Sequence, residues 1–486
     1  MTGPPFDVLV LGGGTAGCAL AARLSEDPDR SVCLVEAGPD YGRYGSNGWP
    51  EEMLDCRLPP SSHDWTDGQL TLPAARIIGG CSSHNMCILA RGAPSDYAAW
   101  GDGGWFYDAL VPYFDRAERQ LEPMRFARGD MNPWNAAIVE ACGEIGLPVH
   151  DDVNAPDAFE GFGLLPSNVR GRTRWNAAFA YLDRARERPS LTLMAETLVD
   201  RIELRDGRAT GALVVREGES FELRAELVIL CAGSYGTAAV LLRSGIGPAD
   251  ELRRHGIEQA SELPVGERLL DHFGIPVRWR PTGRLQAGLF EHARRTPLIA
   301  CQGIVKARSS DCPKGIWDLH VLTGLFPANG KPAHPDGFVL AGSAMLVQPE
   351  WRGTVRLRSP DPAVLPEVTE YAFDSDRDLA HALEAVELGR RLAGSAAAEG
   401  LVDHELEPGE AADGQAIRRR GRDGITAYFH PVGTCAMGQV TDHSGRVLGY
   451  ENLVVADASL MPTIPRGGTN LTVLAVAERI ADLLGD

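Results

Sequence analysis

The sequence lacks any apolar run of the length that a membrane-spanning helix requires, which is about 20 residues. The residues before Val8 contain no basic segment, and the apolar run that follows is broken by three glycines, so a signal peptide is not expected. Positive charge is scarce too, because 47 Lys and Arg residues stand against 66 Asp and Glu residues and leave a formal net charge of −19. This balance argues against nucleic acid or an anionic membrane as a partner.

The ten cysteines form no C-x-x-C pair and no Cys/His spacing typical of a metal site. Cys18, Cys33 and Cys231 fall within apolar patterns, where a thiol is most often a small buried hydrophobic group. We therefore expect no structural disulfide, no bound metal and a reducing compartment, which makes the cytoplasm the expected location. Tandem repeats and low-complexity segments are absent as well.

What the sequence does have is length and an ordinary globular composition. Its 486 residues exceed the usual ceiling for a single hydrophobic core, and 44% of them are hydrophobic while 23% are charged. Two closely joined domains are therefore expected.

The N-terminal stretch has the pattern of a dinucleotide-binding unit. The short apolar run from Val8 to Leu11 predicts a buried parallel strand, and Gly12, Gly14 and Gly17 follow it with G-x-G-x-x-G spacing. These glycines permit a tight turn, a close approach of the backbone to a pyrophosphate, and close packing of a helix on the strand. Glu36 ends the next apolar run, where a carboxylate accepts the hydroxyl hydrogens of an adenosine ribose. The other contacts predicted at this motif are Thr15, Ala16 and Ala37.

A second strand–glycine–helix pattern lies far along the chain. The segment from Glu226 to Cys231 predicts a buried strand, which runs into Gly233 and a helix. Period-two alternation before it predicts further strands, two of them joined by a tight turn at Asp206–Gly207. A later helix is predicted from about Asp376 to Ala393. We therefore expect one sheet to be assembled from distant segments.

Four further blocks carry a more specific signal than the glycine motif alone. They are Gly79–Asn85 with Asp96 and Tyr97, Ala232–Gly247, Val265–His272, and His430–Gly438 with Asp457–Ser459. Together with the glycine motif, these blocks resemble the glucose-methanol-choline (GMC) family of flavin oxidoreductases. The likeness covers nearly the whole chain.

The resemblance implies an α/β fold in which a Rossmann-type FAD-binding domain, similar to that of glutathione reductase, is joined to an α+β substrate domain with a mixed or antiparallel sheet. The FAD-binding domain is expected to comprise residues 1–150, 191–274 and 427–486, and the substrate domain residues 151–190 and 275–426. The resemblance also implies the reaction, which is FAD-dependent oxidation of an alcohol to a carbonyl compound. In this reaction a base takes the hydroxyl proton and a hydride passes to flavin N5.

Two residues are implied as catalytic. His430 is the expected base, because a neutral imidazole accepts a proton near neutral pH and the apolar bulk of Tyr428 and Phe429 would keep it neutral. A core histidine held by hydrogen bonds is the alternative. Asn470 lies where the family has its second catalytic residue, His or Asn, and would orient the alcohol through its donor and acceptor groups. Its alternative role is that of an N-cap.

The run that contains His84 is similar to that of a choline-oxidising oxidase of the family, whose histidine at this position is joined covalently to the flavin, whereas most family members have an apolar residue there. Covalent attachment would withdraw electron density from the ring and favour hydride acceptance. The alternative is a polar neighbour that forms no bond with the flavin. The other cofactor contacts that the resemblance implies are Gly80, Ser83, Asn85, Val199, Ala232, Gly233, Asp457 and Ala458. A strand-end residue such as Asp457 also suits a turn or a cap.

The nature of the substrate is less clearly indicated. Recognition of a quaternary ammonium requires an aromatic box, ideally with a carboxylate. The candidates are Phe290, Glu291, Trp317 and Phe326, while the neutral Gln302 stands at the nearest counterpart of the family's carboxylate segment. A neutral primary alcohol, polyol, sugar-like or aryl alcohol is therefore favoured over choline or an amino alcohol.

Two further points stay open at the level of sequence. A lyase that retains FAD without net redox chemistry, as hydroxynitrile lyases of this family do, is an alternative from another class of enzyme. The electron acceptor of an oxidoreductase would be oxygen, a quinone or a redox carrier.

Overall fold

The computed structural model of the chain describes residues 4–57, 60, 62–65, 74–101, 103–328, 337–369, 373–409, 413–420 and 424–485. Helices and strands are numbered along the chain. The helices are α1 (Thr15–Leu24), α2 (Glu51–Leu54), α3 (Pro94–Ala98), α4 (Tyr107–Leu121), α5 (Pro133–Glu144), α6 (Asp183–Ala185), α7 (Gly233–Arg243), α8 (Ala249–Arg254), α9 (Gly283–Ala293), α10 (Asp376–Ala393), α11 (Gly414–Arg420) and α12 (Thr469–Gly485). The predicted helix at residues 376–393 is confirmed, and the side chain of Ser375 caps it.

The first sheet is built from three distant parts of the chain. Its strands are β1 (Phe6–Leu11), β2 (Val32–Val35), β7 (Leu191–Met194), β8 (Leu198–Arg205), β9 (Arg208–Arg216), β10 (Glu219–Leu230) and β19 (Leu453–Val455). Strands β7, β2, β1, β10 and β19 run parallel in that order. The first half of β10 pairs instead with the antiparallel hairpin of β9 and β8, which turns at Asp206–Gly207 as predicted.

The second sheet is almost entirely antiparallel. In spatial order its strands are β17 (Val402–Glu407), β11 (Phe273–Pro281), β14 (Phe338–Leu346), β13 (Leu319–Pro327), β12 (Cys301–Ala307), β4 (Gly161–Leu164) and β3 (Val149–His150), with β18 (Thr426–Ala427) on β11. Only β3 and β4 pair in parallel among these strands. Two small hairpins pair β15 (Thr354–Arg356) with β16 (Glu367–Thr369) and β5 (Val169–Arg170) with β6 (Thr173–Arg174).

These two sheets confirm the predicted fold class, a parallel Rossmann-type sheet joined to an α+β region with a mixed sheet. Strands at residues 6–35, 191–230 and 453–455 belong to the first sheet, and those at 149–164, 273–346 and 402–427 to the second. The exact domain boundaries stay a prediction.

The two faces of the second sheet differ in chemistry. Leu319 and Val321 of β13 pack into a hydrophobic core with α5 and α10. Because side chains alternate along a strand, His320 points to the opposite face. There it lies beside Lys306 of β12 and Met345 of β14, its partners in the ladder. The face turned away from the α10 core therefore contains buried polar side chains.

A buried ion-pair cluster holds α12 against two other helices. The Glu478 side chain of α12 is fully buried and pairs with Arg23 of α1 and with Arg116 of α4. Asp482, one turn later, pairs with the same two arginines at 3.1 and 2.9 Å. A buried carboxylate without such partners would be costly, so these contacts fix the position of α12 relative to α1.

We predict that Gly17→Ala destabilises the protein by about 1–3 kcal/mol, the usual range for overpacking. Gly17 is buried in α1, and a Cβ there would lie 1.9 Å from the backbone oxygen of Gly12, so helix and strand would have to separate. Gly143→Ala is the matched control, because Gly143 is an exposed helical glycine whose added Cβ would meet nothing within 4 Å. That variant should be stabilised by about 0.5–1 kcal/mol in urea unfolding. Equal effects of both substitutions would contradict this account of the glycine motif.

Candidate active site

The glycine turn after β1 brings two stretches of bare backbone together. Gly12 has a φ of +109°, and a Cβ there would lie 2.5 Å from the oxygen of Cys231. A Cβ on Gly80 would lie 2.5 Å from the Cα of Gly14, and the N–H of Gly79 donates to the oxygen of Gly13 at 2.8 Å. The start of α1 and the Gly79–Ser83 segment therefore face each other without intervening side chains. Such a cradle fits a pyrophosphate that is bound by backbone N–H groups.

Glu36 connects this turn to the end of β2. Its carboxylate accepts hydrogen bonds from the N–H groups of Gly13 and Gly38, each at 2.8 Å. Burial nevertheless raises the pKa of Glu36 to about 7, because two amide donors do not replace full hydration. Each carboxylate oxygen retains a lone pair, so the residue fits the predicted role of an acceptor for ribose hydroxyls.

A depression in the surface adjoins this carboxylate. Its lining residues are Ala37, Gly38, Pro39, His63, Asp64, Arg76 and Glu196. The carbonyl of Ala37 accepts a hydrogen bond from Arg76 Nε at 3.2 Å. The depression thus lies at the end of the turn where the adenosine is expected.

The residues predicted near the second glycine turn bond chiefly to one another. The Asp457 carboxylate accepts from the N–H of Gly233 (2.8 Å), the hydroxyl of Thr237 (2.6 Å) and the N–H of Ser459 (2.9 Å). Its side chain therefore caps the short turn that begins at Ala458, which is the alternative role considered from sequence. The N–H of Ala232 likewise donates to the Thr237 hydroxyl at 3.1 Å, so the N–H groups of Ala232 and Gly233 are not available to a cofactor. The cofactor contacts expected of these two residues and of Ala458 stay predictions.

Val199 is placed in β8, and its carbonyl already accepts a hydrogen bond from Arg243 Nη2 at 3.2 Å. That bond binds the strand to α7. The predicted contact of Val199 with adenine stays a prediction.

His84 follows the short helix Gly80–Ser83 and is buried at 9% exposure. Burial lowers its pKa, so the ring is neutral and one nitrogen has a free lone pair. Its Nε2 is buried and has no hydrogen-bond partner among the described residues. Ser83 donates to the Ile78 oxygen and Asn85 accepts from the Cys87 N–H, so both neighbours bond within their own loop.

His430 lies in a cluster of aromatic rings. The ring centroids of His272 and Tyr428 are each 5.3 Å from that of His430. One oxygen of the Asp271 carboxylate accepts from the backbone N–H groups of both His272 (2.6 Å) and His430 (2.7 Å). Burial lowers the pKa of His430 to about 3, so the imidazole is neutral at working pH.

A hydrogen bond between two ring nitrogens determines what His430 can do. The Nδ1 atoms of His430 and His272 are 3.1 Å apart, so one ring donates and the other accepts. When His430 is the donor, the lone pair of its Nε2 is free to accept a proton from an alcohol. His272 therefore selects between a form of His430 that acts as a base and one that does not.

Asn470 lies inside the first turn of α12, which begins at Thr469, and so does not occupy the N-cap position. Its Oδ1 accepts from the hydroxyl of Thr15, the first residue of α1, at 3.4 Å. Its Nδ2 is buried and has no partner among the described residues. The amide thus offers a free donor where the N-termini of two helices meet.

The structure therefore divides the predicted site residues into two groups. One group surrounds the glycine turn and extends from Glu36 to Asn470, and the other surrounds His430. No hydrogen bond joins His430 directly to Asn470 in the described part of the chain. Asp271, His272 and Tyr428 were not predicted as functional residues, although His272 belongs to one of the family blocks.

The residues present fit FAD. The side-chain-free cradle between Gly14 and Gly80 suits the pyrophosphate, Glu36 suits the ribose, and the unpartnered nitrogens of His84 and Asn470 suit a polar ring system. When bound, FAD supplies the acceptor for the hydride that leaves the alcohol carbon.

Comparison with family models decides the classification. The model of the N-terminal part of GMC oxidoreductases matches residues 6–274, and that of the C-terminal part matches residues 349–477. The chain belongs to the GMC oxidoreductase family. It is an FAD-dependent oxidoreductase that acts on alcohols, which confirms the predictions of family, cofactor and reaction.

Individual relatives span almost the whole chain. Human mitochondrial choline dehydrogenase is 32% identical over 99% of this chain and 89% of its own length. The 5-(hydroxymethyl)furfural oxidase of Methylovorus sp. (strain MP688) is 33% identical over 100% of this chain and 99% of its own. Among solved structures, pyridoxine 4-oxidase from Mesorbium loti has a TM-score of 0.84 at 28% identity, and the match covers 99% of both chains.

Two further observations bear on partners and metals. Among the described residues, every helix is too short or too polar to cross a lipid bilayer.

A candidate metal cluster is formed by Asp311, Asp318 and His381, whose potential ligand atoms lie within 4.8 Å of one another. However, Asp311 forms an ion pair with Arg377 at 3.1 Å, and the Asp318 carboxylate accepts a hydrogen bond from the N–H of Ser309. Both carboxylates are therefore already bonded to groups of the protein, and the absence of a metal stays a prediction.

We predict that the free energy of unfolding falls as the pH is lowered through the histidine range. Burial lowers the pKa of His272 and of His320 well below the usual value, so the folded protein keeps both rings neutral. The unfolded chain takes up a proton on each ring near a pKa of about 6.5. Below that pH, each ring therefore removes up to about 1.4 kcal/mol of stability per pH unit.

Urea unfolding at about pH 7.5 and about pH 5.5 measures this loss. His320→Gln removes one titrating ring and should reduce the loss by about 1 kcal/mol. His404→Gln, at a half-exposed side chain on β17, should retain the full loss. The prediction fails when wild type and His320→Gln lose the same stability.

Proposed function

We propose that this protein oxidises a neutral primary alcohol on an aromatic or heteroaromatic frame, with His430 as the base. The observation that carries the proposal is the aromatic environment of His430, whose imidazole is contacted by the rings of His272 and Tyr428. The adjacent Phe429 is 47% exposed and has a φ of +60°, a strained conformation of the kind found at binding sites. Flat, uncharged ligands pack well against such rings.

The names of two relatives agree with this substrate class. One oxidises 5-(hydroxymethyl)furfural and the other pyridoxine, and both substrates carry a hydroxymethyl group on a heteroaromatic ring. The chain is similar to each over nearly its whole length.

Choline is the second candidate, supported by the similarity to choline dehydrogenases. The side chains considered for an ammonium site do not favour it. The ring of Trp317 already faces the ammonium of Lys306 at 4.1 Å, and Glu291 pairs with surface arginines. Gln302 is engaged with Asn132 and Asp130, so its amide does not face a substrate. A buried lysine on the aromatic face would repel a second cation.

The roles of the protein's own groups follow from their hydrogen bonds. With His272 accepting its Nδ1–H, His430 would take the hydroxyl proton on Nε2, and the imidazolium formed would share its charge with His272. The free Nδ2–H₂ of Asn470 would donate to the substrate oxygen as it acquires negative charge. Asp271 would maintain the backbone position of both histidines.

We expect neutral aryl-methanols to bleach the flavin absorbance without oxygen, and choline to do so far more slowly. His430→Gln should slow flavin reduction about 10²–10⁴-fold, the usual contribution of a general base, while FAD stays bound. Asn470→Ala should slow it about 5–100-fold, because one oriented hydrogen bond is lost. Stopped-flow absorbance with a panel of alcohols makes the measurement.

His404→Gln serves as the control for this panel and should react like wild type. Bleaching by choline alone would favour the second candidate. A protein that no alcohol bleaches would instead favour the lyase alternative.

We also propose that His84 is bonded covalently to the flavin. Its buried Nε2, free of partners in the described part of the chain, supports this attachment. Acid precipitation should leave the yellow colour with the wild-type protein, and the intact mass should exceed that of the chain by one FAD. His84→Ala should release the flavin into the supernatant. Wild-type flavin found entirely in the supernatant would disprove covalency and leave the oxidoreductase function intact.

Oxygen, a quinone or a redox carrier is proposed as the electron acceptor. Readmission of air after bleaching distinguishes oxygen from the other two, because only oxygen would restore the flavin absorbance.

A cytoplasmic location is proposed because all ten cysteines are free thiols and nine of them are buried.

A further inference from the structure

A second buried histidine lies close to the proposed base. His320 of β13 is 3% exposed and sits on the sheet face turned away from α10. Its ring centroid lies 6.1 Å from that of Tyr428, which in turn contacts the His430 ring. His320 is thus separated from the proposed base by one aromatic ring.

Its hydrogen bond determines which nitrogen carries the proton. The Trp317 indole Nε1–H donates to His320 Nε2 at 2.9 Å. An indole can only donate, so Nε2 must offer a lone pair. Burial and the charge of Lys306 lower the pKa of His320 well below its usual value, so the ring is neutral. The single ring hydrogen of a neutral imidazole is therefore on Nδ1.

The Trp317 side chain is held firmly in place. The Lys306 ammonium lies 4.1 Å from the centre of its ring and donates to the carbonyls of Val153 and Ala158 at 2.7 and 3.0 Å. The Trp317 carbonyl accepts from Arg466, which pairs with the buried Asp96. These contacts hold the indole in the position from which it donates to His320, and that bond favours the hydrogen of His320 on Nδ1.

The part of the chain that the structure describes offers this hydrogen no acceptor. His320 Nδ1 is buried and has no partner there. The hydroxyl of the adjacent Tyr428 is also buried and has no partner among the described residues. Unsatisfied buried polar groups are rare because each loses its bond to water, and they often mark the place of a ligand or an ordered water.

We propose that His320 donates its Nδ1–H to an acceptor atom of the substrate that lies away from the hydroxyl being oxidised, with the Tyr428 hydroxyl at the same acceptor. The substrate would then be a primary alcohol with a carbonyl or phenolic oxygen across a rigid frame. This inference rests on the proposed function, since His430 anchors the reacting end. An alkylammonium group has no acceptor for this donor.

The test uses the holoenzyme and two alcohols that differ in one acceptor, 5-(hydroxymethyl)furfural and furfuryl alcohol. His320→Met removes the donor at similar volume, whereas His320→Gln keeps both a donor and an acceptor. We expect His320→Met to lower kcat/KM about 10–100-fold for the formyl-bearing alcohol and less than about 3-fold for furfuryl alcohol. His320→Gln should restore most of the loss. Comparing each variant with wild type on the same alcohol removes the difference in intrinsic reactivity.

His381→Met is the matched control, because His381 is equally buried but lies on α10. It should change both alcohols by the same factor. An equal loss of kcat/KM on both alcohols with His320→Met would show a structural role and overturn the inference. The absence of any change would overturn it as well.

If His320→Met fails to retain FAD, Trp317→Phe makes the test. This substitution removes the indole donor, so the hydrogen of His320 can move to Nε2, and kcat/KM should fall selectively for the formyl-bearing alcohol. Failure of wild type to be bleached by any alcohol would overturn the proposed function instead.

Discussion

The backbone of the first glycine turn packs directly against the backbone of the Gly79–Gly80 segment, and the rest of the site depends on this contact. A Cβ on Gly80 would come within 2.5 Å of the Gly14 Cα, so a side chain there would separate the two segments. The same contact fixes the start of α1, whose Thr15 bonds Asn470, and the start of the loop that ends in His84. One approach of glycine to glycine thereby positions both groups of residues that would hold the two ends of a bound dinucleotide.

The region around His430 contains polar side chains that are buried away from water. Asp271 accepts from two backbone N–H groups, and His272, His320 and His430 remain neutral because charged rings would be poorly solvated there. A base must be unprotonated before it can accept a proton, and burial keeps these rings in that form. The predicted loss of stability in acid and the neutral state of the proposed base therefore have the same physical origin.

The parts of the site that could be predicted from sequence are those fixed by local geometry. The spacing of Gly12, Gly14 and Gly17 specifies a turn wherever it occurs between a strand and a helix, and the structure has that turn. The role of the Asp457 side chain cannot be read from its own segment, because its partners Gly233 and Thr237 lie in α7, more than 200 residues earlier in the chain.

The histidine cluster could not be predicted for a related reason. His272 precedes β11 and His320 lies in β13, and only the pairing of distant strands brings both beside the loop that contains His430. Gln302 stands at the nearest counterpart of the family's carboxylate segment, and its bonds to Asn132 and Asp130 likewise depend on packing that the sequence does not show. Sequence blocks thus identified the reaction, while the contacts that shape the pocket depend on tertiary packing.

Overall similarity leaves two substrate classes open, because the chain is 32% identical to human choline dehydrogenase and 33% identical to a 5-(hydroxymethyl)furfural oxidase. A shared fold and cofactor do not fix the substrate, so the argument between the two depends on the local chemistry. The amino group of Lys306, whose pKa burial lowers to about 7, lies over the ring of Trp317, an aromatic face considered for a choline cation. Its charged form also favours the neutral form of His320. The same lysine thus opposes a cationic ligand and maintains a donor suited to a neutral oxygen. Both effects agree with the proposal of an uncharged alcohol that has an acceptor at its far end.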